Sequence, residues 1–182
     1  MYLKGIEING FKSFGEKIKI DFQGGITSIV GPNGSGKSNI LDAILWVLGE
    51  QSYKNIRAKD SKDIIFSGGE KKKSANHAEV SLYIDNQDGF LPLEEDEAKI
   101  TRKLYTNGQN EYLINNKKAR LKDISNLFMD TGVGKSAYSV IGQGKVERII
   151  SSSKKEVKEI IEEAAGVKKF QQRKNESEKN HN

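Results

Sequence analysis

The sequence predicts an α/β fold with a mixed sheet, organised around residues 26–48. Residues 26–30 are mostly apolar and are predicted to form a short strand that enters a glycine-rich loop. The residues after the loop are apolar at helical spacing up to Gly49, which can stop the helix. Two alternating segments precede this unit, and a hairpin feeding the loop strand favours a mixed sheet over a plain doubly wound one.

The loop matches the phosphate-binding motif G-x-x-x-x-G-K-S/T through Gly31, Gly36, Lys37 and Ser38. The first amides of a helix lack intrahelical acceptors and the helix dipole adds partial positive charge, so a loop in this position can bind a polyphosphate. Glycines, here including Gly34, let the backbone wrap closely around the phosphates. We therefore expect Lys37 to contact the β- and γ-phosphates of a nucleotide and Ser38 to ligate Mg²⁺.

Composition limits the other classes of function. The chain has 182 residues and a net charge of +5, which permits nucleic-acid binding without establishing it. It has no cysteine, which excludes a disulfide framework and suits a reducing compartment. The two histidines, His77 and His181, are isolated in the sequence, so we expect no metal site. No stretch approaches the roughly 20 apolar residues of a membrane span, and the first residues lack a signal-peptide pattern. We expect a soluble, cytoplasmic protein with no membrane partner.

The segments before and after the central helix are predicted as strands and loops. Alternation around residues 6–8 and 18–22 predicts two strands, separated by a loop at 11–15 that Gly10 begins. The polar segment after Gly49 carries Lys54, Arg57 and Lys59. It is either a solvated basic loop or a segment that supplies a cation to the nucleotide or to a nucleic-acid backbone. Charge alone does not distinguish these two roles.

The middle of the chain predicts an antiparallel β subdomain beside the nucleotide-binding core. The sequence predicts strands at 63–66, 78–84, 100–104 and 111–114, an acidic loop at 85–97, turns at 107–108 and 115–116, and a short helix at 121–128. Further on it predicts a glycine loop at 131–136, a strand at 138–141 and a helix after Ser153, whose Glu156 completes a capping box.

Two stretches imitate nucleotide-binding motifs. Gly134-Lys135-Ser136 resembles the end of a second phosphate loop, but the spacing requires a glycine where Met129 stands. Residues 66–70 (F-S-G-G-E) resemble the L-S-G-G-Q/E signature of ABC-type ATPases, which should open a helix and lead to an apolar strand ending in Asp-Glu. The strand at 80–85 alternates and is followed by Asn86, so we interpret residues 66–70 as part of a basic hairpin turn.

The chain as a whole resembles bacterial SMC proteins, the condensin-type chromosome-maintenance ATPases. The resemblance rests on motifs that occur in the family's order along nearly the whole chain: G-F-K-S-F-G (10–15), G-P-N-G-S-G-K-S-N-I-L-D-A-I (31–44), L-G-E-Q-S (48–52), I-R-A (56–58), I-I-F-S-G (64–68), I-G-Q-G-K-V (141–146) and E-E-A-A-G-V (162–167). It implies a phosphate-loop, ABC-type ATPase head built from both ends of a long chain. Residues 1–152 would then be the N-terminal part of that head, and residues 153–182 would begin its coiled-coil arm.

The resemblance also implies roles for individual residues. The phosphates of ATP and its Mg²⁺ would be held by the loop residues Pro32, Asn33, Gly34, Ser35, Gly36, Lys37, Ser38 and Asn39. Gln143 matches the family's glutamine that touches Mg²⁺ and the attacking water, and Arg57 matches an arginine proposed to reach nucleotide or DNA. Lys12 and Ser13 lie where the family's first loop runs beside the nucleotide.

Other parts of the family's site have no counterpart in the sequence. The Asp-Glu pair, the true signature and the switch histidine belong to the family's C-terminal half. The resemblance therefore implies a split site, in which this chain supplies the phosphate cradle and is inactive alone. The implied partners are the C-terminal half of the head, a second head in a homodimer, a kleisin-type subunit and double-stranded DNA, at the nucleoid.

Four alternatives remain. A self-sufficient kinase or GTPase should show its own Mg²⁺-binding Asp or an N-K-x-D motif, and residues 114–118 lack the Asp. A transporter ATPase should carry its signature and catalytic glutamate on the same chain. An SMC-like repair ATPase is disfavoured by the F-K-S-F and I-G-Q-G runs. An ATP-gated DNA-binding module without turnover would use Lys54, Arg57, Lys59 and residues 71–73.

Overall fold

The computed structural model of the chain describes residues 1–70, 72–128 and 157–158. The chain divides into two compact units, Met1–Leu127 and Phe128–Asn182. Within the second unit, residues 157 and 158 are helical. The elements predicted at 131–136 and 138–141, the start of the coiled-coil arm at 153 and Gln143 all lie outside the described residues, so the division at residue 152 stays a prediction.

The first unit is built on a six-stranded sheet. Its strands are β1 (Tyr2–Asn9), β2 (Ile18–Asp21), β3 (His77–Asp85), β4 (Glu97–Tyr105), β5 (Asn110–Ile114) and β6 (Lys117–Ala119). They lie side by side in the order β2-β1-β3-β4-β5-β6, and each of these pairings is antiparallel. The α-helices described up to residue 128 are α1 (Lys37–Val47) and α2 (Leu121–Phe128). No helix among the described residues is long and apolar enough to cross a bilayer.

The alternation of apolar and polar residues determines which face of the sheet is buried. One face of the central strands is lined by fully buried aliphatic side chains, among them Ile6, Ile8, Val80, Leu82 and Ile100. The intervening residues are mostly charged, aromatic or hydroxylic and point to the other face. The predicted antiparallel β subdomain is therefore confirmed. The three-residue β6 is an additional strand that the sequence does not predict, because two of its residues are lysines.

Helix α1 packs against β3 and β4. Its buried side chains include Ala43, Trp46 and Val47. The ring of Phe11, from the loop after β1, lies 5.3 Å from that of Trp46 between centroids. The helix ends as predicted, because Gly49 adopts a φ of 107°, which residues with a Cβ rarely adopt.

Arg102, in β4, joins the sheet to the C-terminal end of α1. Its guanidinium is buried and donates two hydrogen bonds of 2.8 Å, to the carbonyl oxygens of Trp46 and Glu50. It also lies 4.6 Å from the centroid of the Trp46 ring and 5.1 Å from that of Tyr112. Burial lowers the pKa of Arg102. Since the last carbonyls of a helix lack intrahelical donors and carry partial negative charge, a cation there stabilises the helix end.

Two predicted strands are absent. Residues 26–30 form no strand, and Ile26, Ile29 and Val30 are 100%, 42% and 87% exposed. A strand needs a neighbour for its backbone groups, and no described strand pairs with this segment. Residues 63–66 were also predicted as a strand, but Lys62–Ile64 forms a 3₁₀ turn and Ile65 makes only an isolated bridge to Phe11.

Three predicted turns are confirmed. Residues 66–70 open no helix, and Gly69 forms an antiparallel bridge with Lys72, as expected for a basic hairpin turn. Residues 107–108 connect β4 to β5, with Gly108 at a φ of 84°. Asn115 and Asn116 both adopt left-handed conformations and connect β5 to β6, which is the geometry that twisted hairpins favour.

We predict that Arg102→Met lowers the free energy of unfolding by about 2–4 kcal/mol, because the buried Trp46 carbonyl and the partly buried Glu50 carbonyl lose their donor. The measurement is urea unfolding followed by circular dichroism. Lys103→Met is the matched control, since Lys103 points to the other face of β4 and forms an ion pair of 3.1 Å with Glu79 at a partly exposed site. Such pairs contribute about 1 kcal/mol or less. Equal losses in the two variants would contradict the capping role of Arg102.

Candidate nucleotide-binding site

The glycine-rich loop has the conformation that phosphate binding requires. Gly34 and Gly36 have φ values of 83° and 89°, and Gly36 is the N-cap of α1. Gly36 has no side chain with which to cap this helix end, and the first turn of the helix carries no acidic residue. The amides of Lys37 and Ser38 therefore remain available to an anion, whereas those of Asn39 and Ile40 donate to the Gly36 carbonyl. The predicted order of glycine loop and helix is confirmed.

Lys37 lies across the loop that it follows. Its ammonium donates hydrogen bonds to the carbonyl oxygens of Gly31 at 2.6 Å and Pro32 at 2.8 Å. A Cβ on Gly31 would come within 2.9 Å of the Ser35 hydroxyl oxygen, so a larger residue there would require the Ser35 side chain to move. The loop residues predicted to hold phosphate are all solvent-exposed up to the helix start: Pro32, Asn33, Gly34 and Ser35.

The site suits a Mg²⁺ ion only in combination with a phosphate ligand. Ser38 is exposed in the first turn of α1, beside the uncapped amides. Within the part of the chain that the structure describes, no group of three or more His, Cys, Asp or Glu residues could hold a metal ion. Because Mg²⁺ in phosphate-loop proteins takes few protein ligands and completes its shell with phosphate and water, one hydroxyl is a sufficient contribution from this loop.

The loop after β1 lies against the phosphate loop. The Asn39 side-chain amide donates a 2.8 Å hydrogen bond to the Ser13 hydroxyl. A Cβ added to Gly36 would lie 3.0 Å from that same hydroxyl oxygen and 3.2 Å from the Phe14 ring. Ser13 and Asn39 therefore lie together beside the phosphate loop, and their contact with a nucleotide stays a prediction.

Lys12 and Arg57 meet at a buried carboxylate. Asp42, on α1, accepts a 2.6 Å hydrogen bond from the Lys12 ammonium, and from the Arg57 guanidinium at 2.7 Å and 3.3 Å. The Lys12 ammonium also donates to the carbonyl of Ile56. Two cations share one carboxylate, so the cluster carries a net positive charge near the phosphate loop.

A cavity of about 520 Å³ adjoins this cluster. Four of the predicted site residues line it, namely Lys12, Ser13, Asn39 and Arg57; the remainder of its wall is formed by Lys62, Asp63, Ile65, Phe66, Ser67 and Gly68. A volume in this range accommodates a ligand the size of a nucleoside. The structure thus places four of the predicted residues around one cavity, while residues 32–38 form the loop next to it.

Three features of the site were not predicted. Asp42 was not identified, although an acidic residue one turn before Trp46 on an otherwise apolar helix face was a usable signal. Asp63 belongs to a predicted strand that the structure does not form, and no role is predicted for Lys62. Residues 66–68 were interpreted only as a turn, and the structure also places them on the cavity wall.

The uncapped helix, the glycine loop and the adjacent cationic cavity define a phosphate-loop nucleotide-binding protein. Residues 2–150 match the family described as the RecF/RecN/SMC N terminal domain, and the chain belongs to this family. It corresponds to the N-terminal part of an SMC head. It is 71% identical over 180 residues to the chromosome partition protein Smc of Fusobacterium nucleatum subsp. nucleatum, covering 99% of this chain but only 15% of that protein.

Solved structures of SMC heads have the same fold. One, from work on ATP-driven dimerization and DNA stimulated activation of SMC ATPases, has a TM-score of 0.82 at 37% identity and covers 90% of this chain and 99% of that chain. Another is the Smc head domain of Pyrococcus furiosus with an extended coiled coil, bound to the C-terminal domain of ScpA. It has a TM-score of 0.88 at 37% identity over 98% of this chain and 45% of that chain. The predicted class, the N-terminal half of an ABC-type ATPase head, is confirmed.

We predict that Gly10→Ala destabilises the protein by about 2–4 kcal/mol, because strain at positive φ adds to a steric clash. Gly10 has a φ of 61°, and its Cβ would lie 2.2 Å from the carbonyl oxygen of His77. Gly108→Ala is the control, since its φ is 84° but its Cβ would meet nothing within 4 Å, so only about 1–2 kcal/mol is expected. Thermal and urea unfolding measure both, and equal costs would show that Gly10 does not hold the start of the loop that carries Lys12.

Proposed function

We propose that this chain is the ATP-binding part of an SMC head. In the full protein, ATP binding and hydrolysis would drive head engagement and DNA binding for chromosome condensation, organisation and segregation. The observation that carries the proposal is the open N-terminal end of α1, with Lys37 folded over the phosphate loop and the cavity lined by Lys12 and Arg57 beside it.

The site residues divide into two groups in this proposal. The polyphosphate of ATP is held by the loop amides and by Lys37, Ser38 and Asn39. When the nucleotide binds, the Lys37 ammonium leaves its two carbonyl acceptors and donates to the β- and γ-phosphates instead. Bound Mg²⁺ would neutralise phosphate charge during hydrolysis, with Ser38 and Gln143 as its protein ligands. The cavity beyond the loop, with Lys12, Ser13 and Arg57, receives the rest of the nucleotide.

We propose that the first partner is the C-terminal half of the same head. Three apolar side chains, those of Ile26, Ile29 and Val30, are exposed immediately before the phosphate loop. Exposed apolar side chains in a row favour burial against another segment, and the predicted strand form of residues 26–30 requires a neighbouring strand. The same partner would supply an Asp-Glu pair at the end of an apolar strand, which this sequence lacks, so the chain alone is expected to bind ATP and not to hydrolyse it.

The remaining partners follow from the family. A second SMC head in a homodimer would supply the signature in trans, and a kleisin-type subunit would bind the complete head. The solved relatives support this, since one concerns ATP-driven dimerization and another is bound to ScpA. Double-stranded DNA is the proposed substrate, and the proposed location is the cytoplasm, at the nucleoid.

Two alternatives are supported less well. The matched family also covers RecF and RecN, so an SMC-like repair ATPase remains an alternative. However, the 71% identity to a chromosome partition protein favours chromosome organisation. A DNA-binding module in which ATP only gates closure would use Lys54, Arg57, Lys59 and residues 71–73. It would retain DNA in an ATP-dependent manner without turnover even when all head parts are present.

We predict that the chain binds a fluorescent ATP analogue in the presence of Mg²⁺, and that Lys37→Ala weakens this binding at least tenfold. Loss of a charge-assisted contact to phosphate accounts for that factor. Fluorescence titration measures the affinity. Lys17→Ala is the control, because Lys17 carries the same charge but pairs with Glu7 at the edge of the sheet. A similar loss in both variants would point to general electrostatic attraction and not to a phosphate loop.

We predict that ATP hydrolysis requires the C-terminal half of the head. The chain alone should show no turnover, and mixing it with the C-terminal half should restore turnover that Lys37→Ala abolishes. A phosphate-release assay measures all three conditions. Appreciable Lys37-dependent turnover by the chain alone would contradict the split site, and ATP-dependent DNA retention without turnover in the mixture would favour the gating module.

A further inference from the structure

Among the described residues of the candidate site, only Asp42 is a buried carboxylate that forms ion pairs with two cations. Its side chain is 3% exposed, and it forms the ion pairs with Lys12 and Arg57 at 2.6 Å and 2.7 Å. These partners lie 30 and 15 residues away in the sequence. One carboxylate thus connects the helix that follows the phosphate loop to two separate loops.

The backbone at both cations is held in an unfavourable conformation. Lys12 has a φ of 50° and Arg57 has a φ of 53°, which residues with a Cβ rarely adopt. Strain of this kind persists when surrounding contacts hold it, and it is concentrated at functional sites. The shared ion pair with Asp42 is such a contact for both residues, together with the 2.7 Å hydrogen bond from the Lys12 amide to the Ile64 carbonyl.

The two cations differ in their freedom to leave Asp42. The Lys12 side chain is 9% exposed, and its ammonium has Ile56 as an additional carbonyl partner. The Arg57 side chain is 51% exposed and lines the cavity. Asp42 occupies only Nε and one terminal nitrogen of Arg57. An entering anion can therefore reach the remaining donors of the half-exposed guanidinium while the ion pair with Asp42 stays in place.

We propose that Asp42 is a positioning residue for the nucleotide site, and this inference rests on the proposed ATP binding. It fixes Lys12 beside α1 and holds Arg57 at the cavity wall through its ion pair. A polyphosphate then meets a guanidinium that is already oriented, which lowers the ordering cost of binding.

The sign of one mutational effect separates this role from a purely electrostatic one. If Asp42 were merely a negative charge near an anionic ligand, its removal would strengthen ATP binding, because a repulsion would be lost. If Asp42 positions Arg57, its removal weakens binding even though the site becomes more positive. We expect Asp42→Asn to bind the fluorescent ATP analogue at least fivefold more weakly than the unmodified chain.

Asp60→Asn is the matched control for the loss of charge. Asp60 is exposed, lies close to the cavity in sequence, and accepts a 2.7 Å hydrogen bond from the Lys62 amide, which an asparagine oxygen can also accept. Its affinity for the analogue should be unchanged or slightly higher. Asp42→Asn with an affinity equal to or above that of the unmodified chain would overturn the proposal.

A double-mutant cycle with Arg57→Gln identifies the partner through which Asp42 acts. The effect of Asp42→Asn on binding should fall to less than twofold in the Arg57→Gln background, because the oriented group is already gone. Additive effects would show that Asp42 does not act through Arg57, and this would overturn the proposal. A general loss of structure would lower affinity in both backgrounds alike.

Two outcomes complete the test. If Asp42→Asn proves too unstable to titrate, Arg57→Gln decides alone, since the half-exposed Arg57 can be changed without removing a buried group. Unchanged affinity in Arg57→Gln would overturn the proposal, and at least fivefold weaker binding would support it. If the unmodified chain binds no ATP analogue, the proposed function of the chain fails, which is distinct from failure of the role of Asp42.

Discussion

The packing of α1 across one face of the antiparallel sheet is the constraint on which the candidate site depends. Ala43, Trp46 and Val47 bury one side of the helix, and Arg102 binds its last carbonyls from within the sheet. A helix held along its length and at one end cannot shift its other end without breaking those contacts. The phosphate loop therefore projects from a fixed support, which is how precise sites are built on rigid elements.

The two ends of α1 differ in whether their free backbone groups have a partner within the protein, and this difference explains why the site attracts anions. At the C-terminal end, the buried guanidinium of Arg102 neutralises the partial negative charge of the carbonyls. At the N-terminal end, Gly36 supplies no side chain and the first turn has no acidic residue. The helix thus has its negative end satisfied within the protein and its positive end left for a ligand, with the cations bound to Asp42 nearby.

The sequence predicts those parts of the fold that depend on local periodicity. The alternation of β3 and β4 and the turn residues at 107–108 and 115–116 specify strands and hairpins without further information. The phosphate loop is equally local, because its spacing and glycines are contiguous. The apolar character of residues 26–30 shows that the segment favours burial but not which neighbour provides it. The Asp42 cluster was missed because its ion pairs join residues far apart in sequence.

The surface of the first unit differs between the sheet edges and the phosphate loop. The edge strands β2 and β6 are short and carry lysines, Lys19 in β2 and Lys117 and Lys118 in β6, which discourages pairing with further strands. Residues 26–30 have no such protection, and Ile26 and Val30 are almost fully exposed. Charged edges resist the addition of a strand, whereas a row of exposed apolar residues favours it. Another chain segment is therefore expected to bind beside the phosphate loop, at residues 26–30. A partner bound there would contact the nucleotide site directly, so completion of the fold and completion of the site would be the same event.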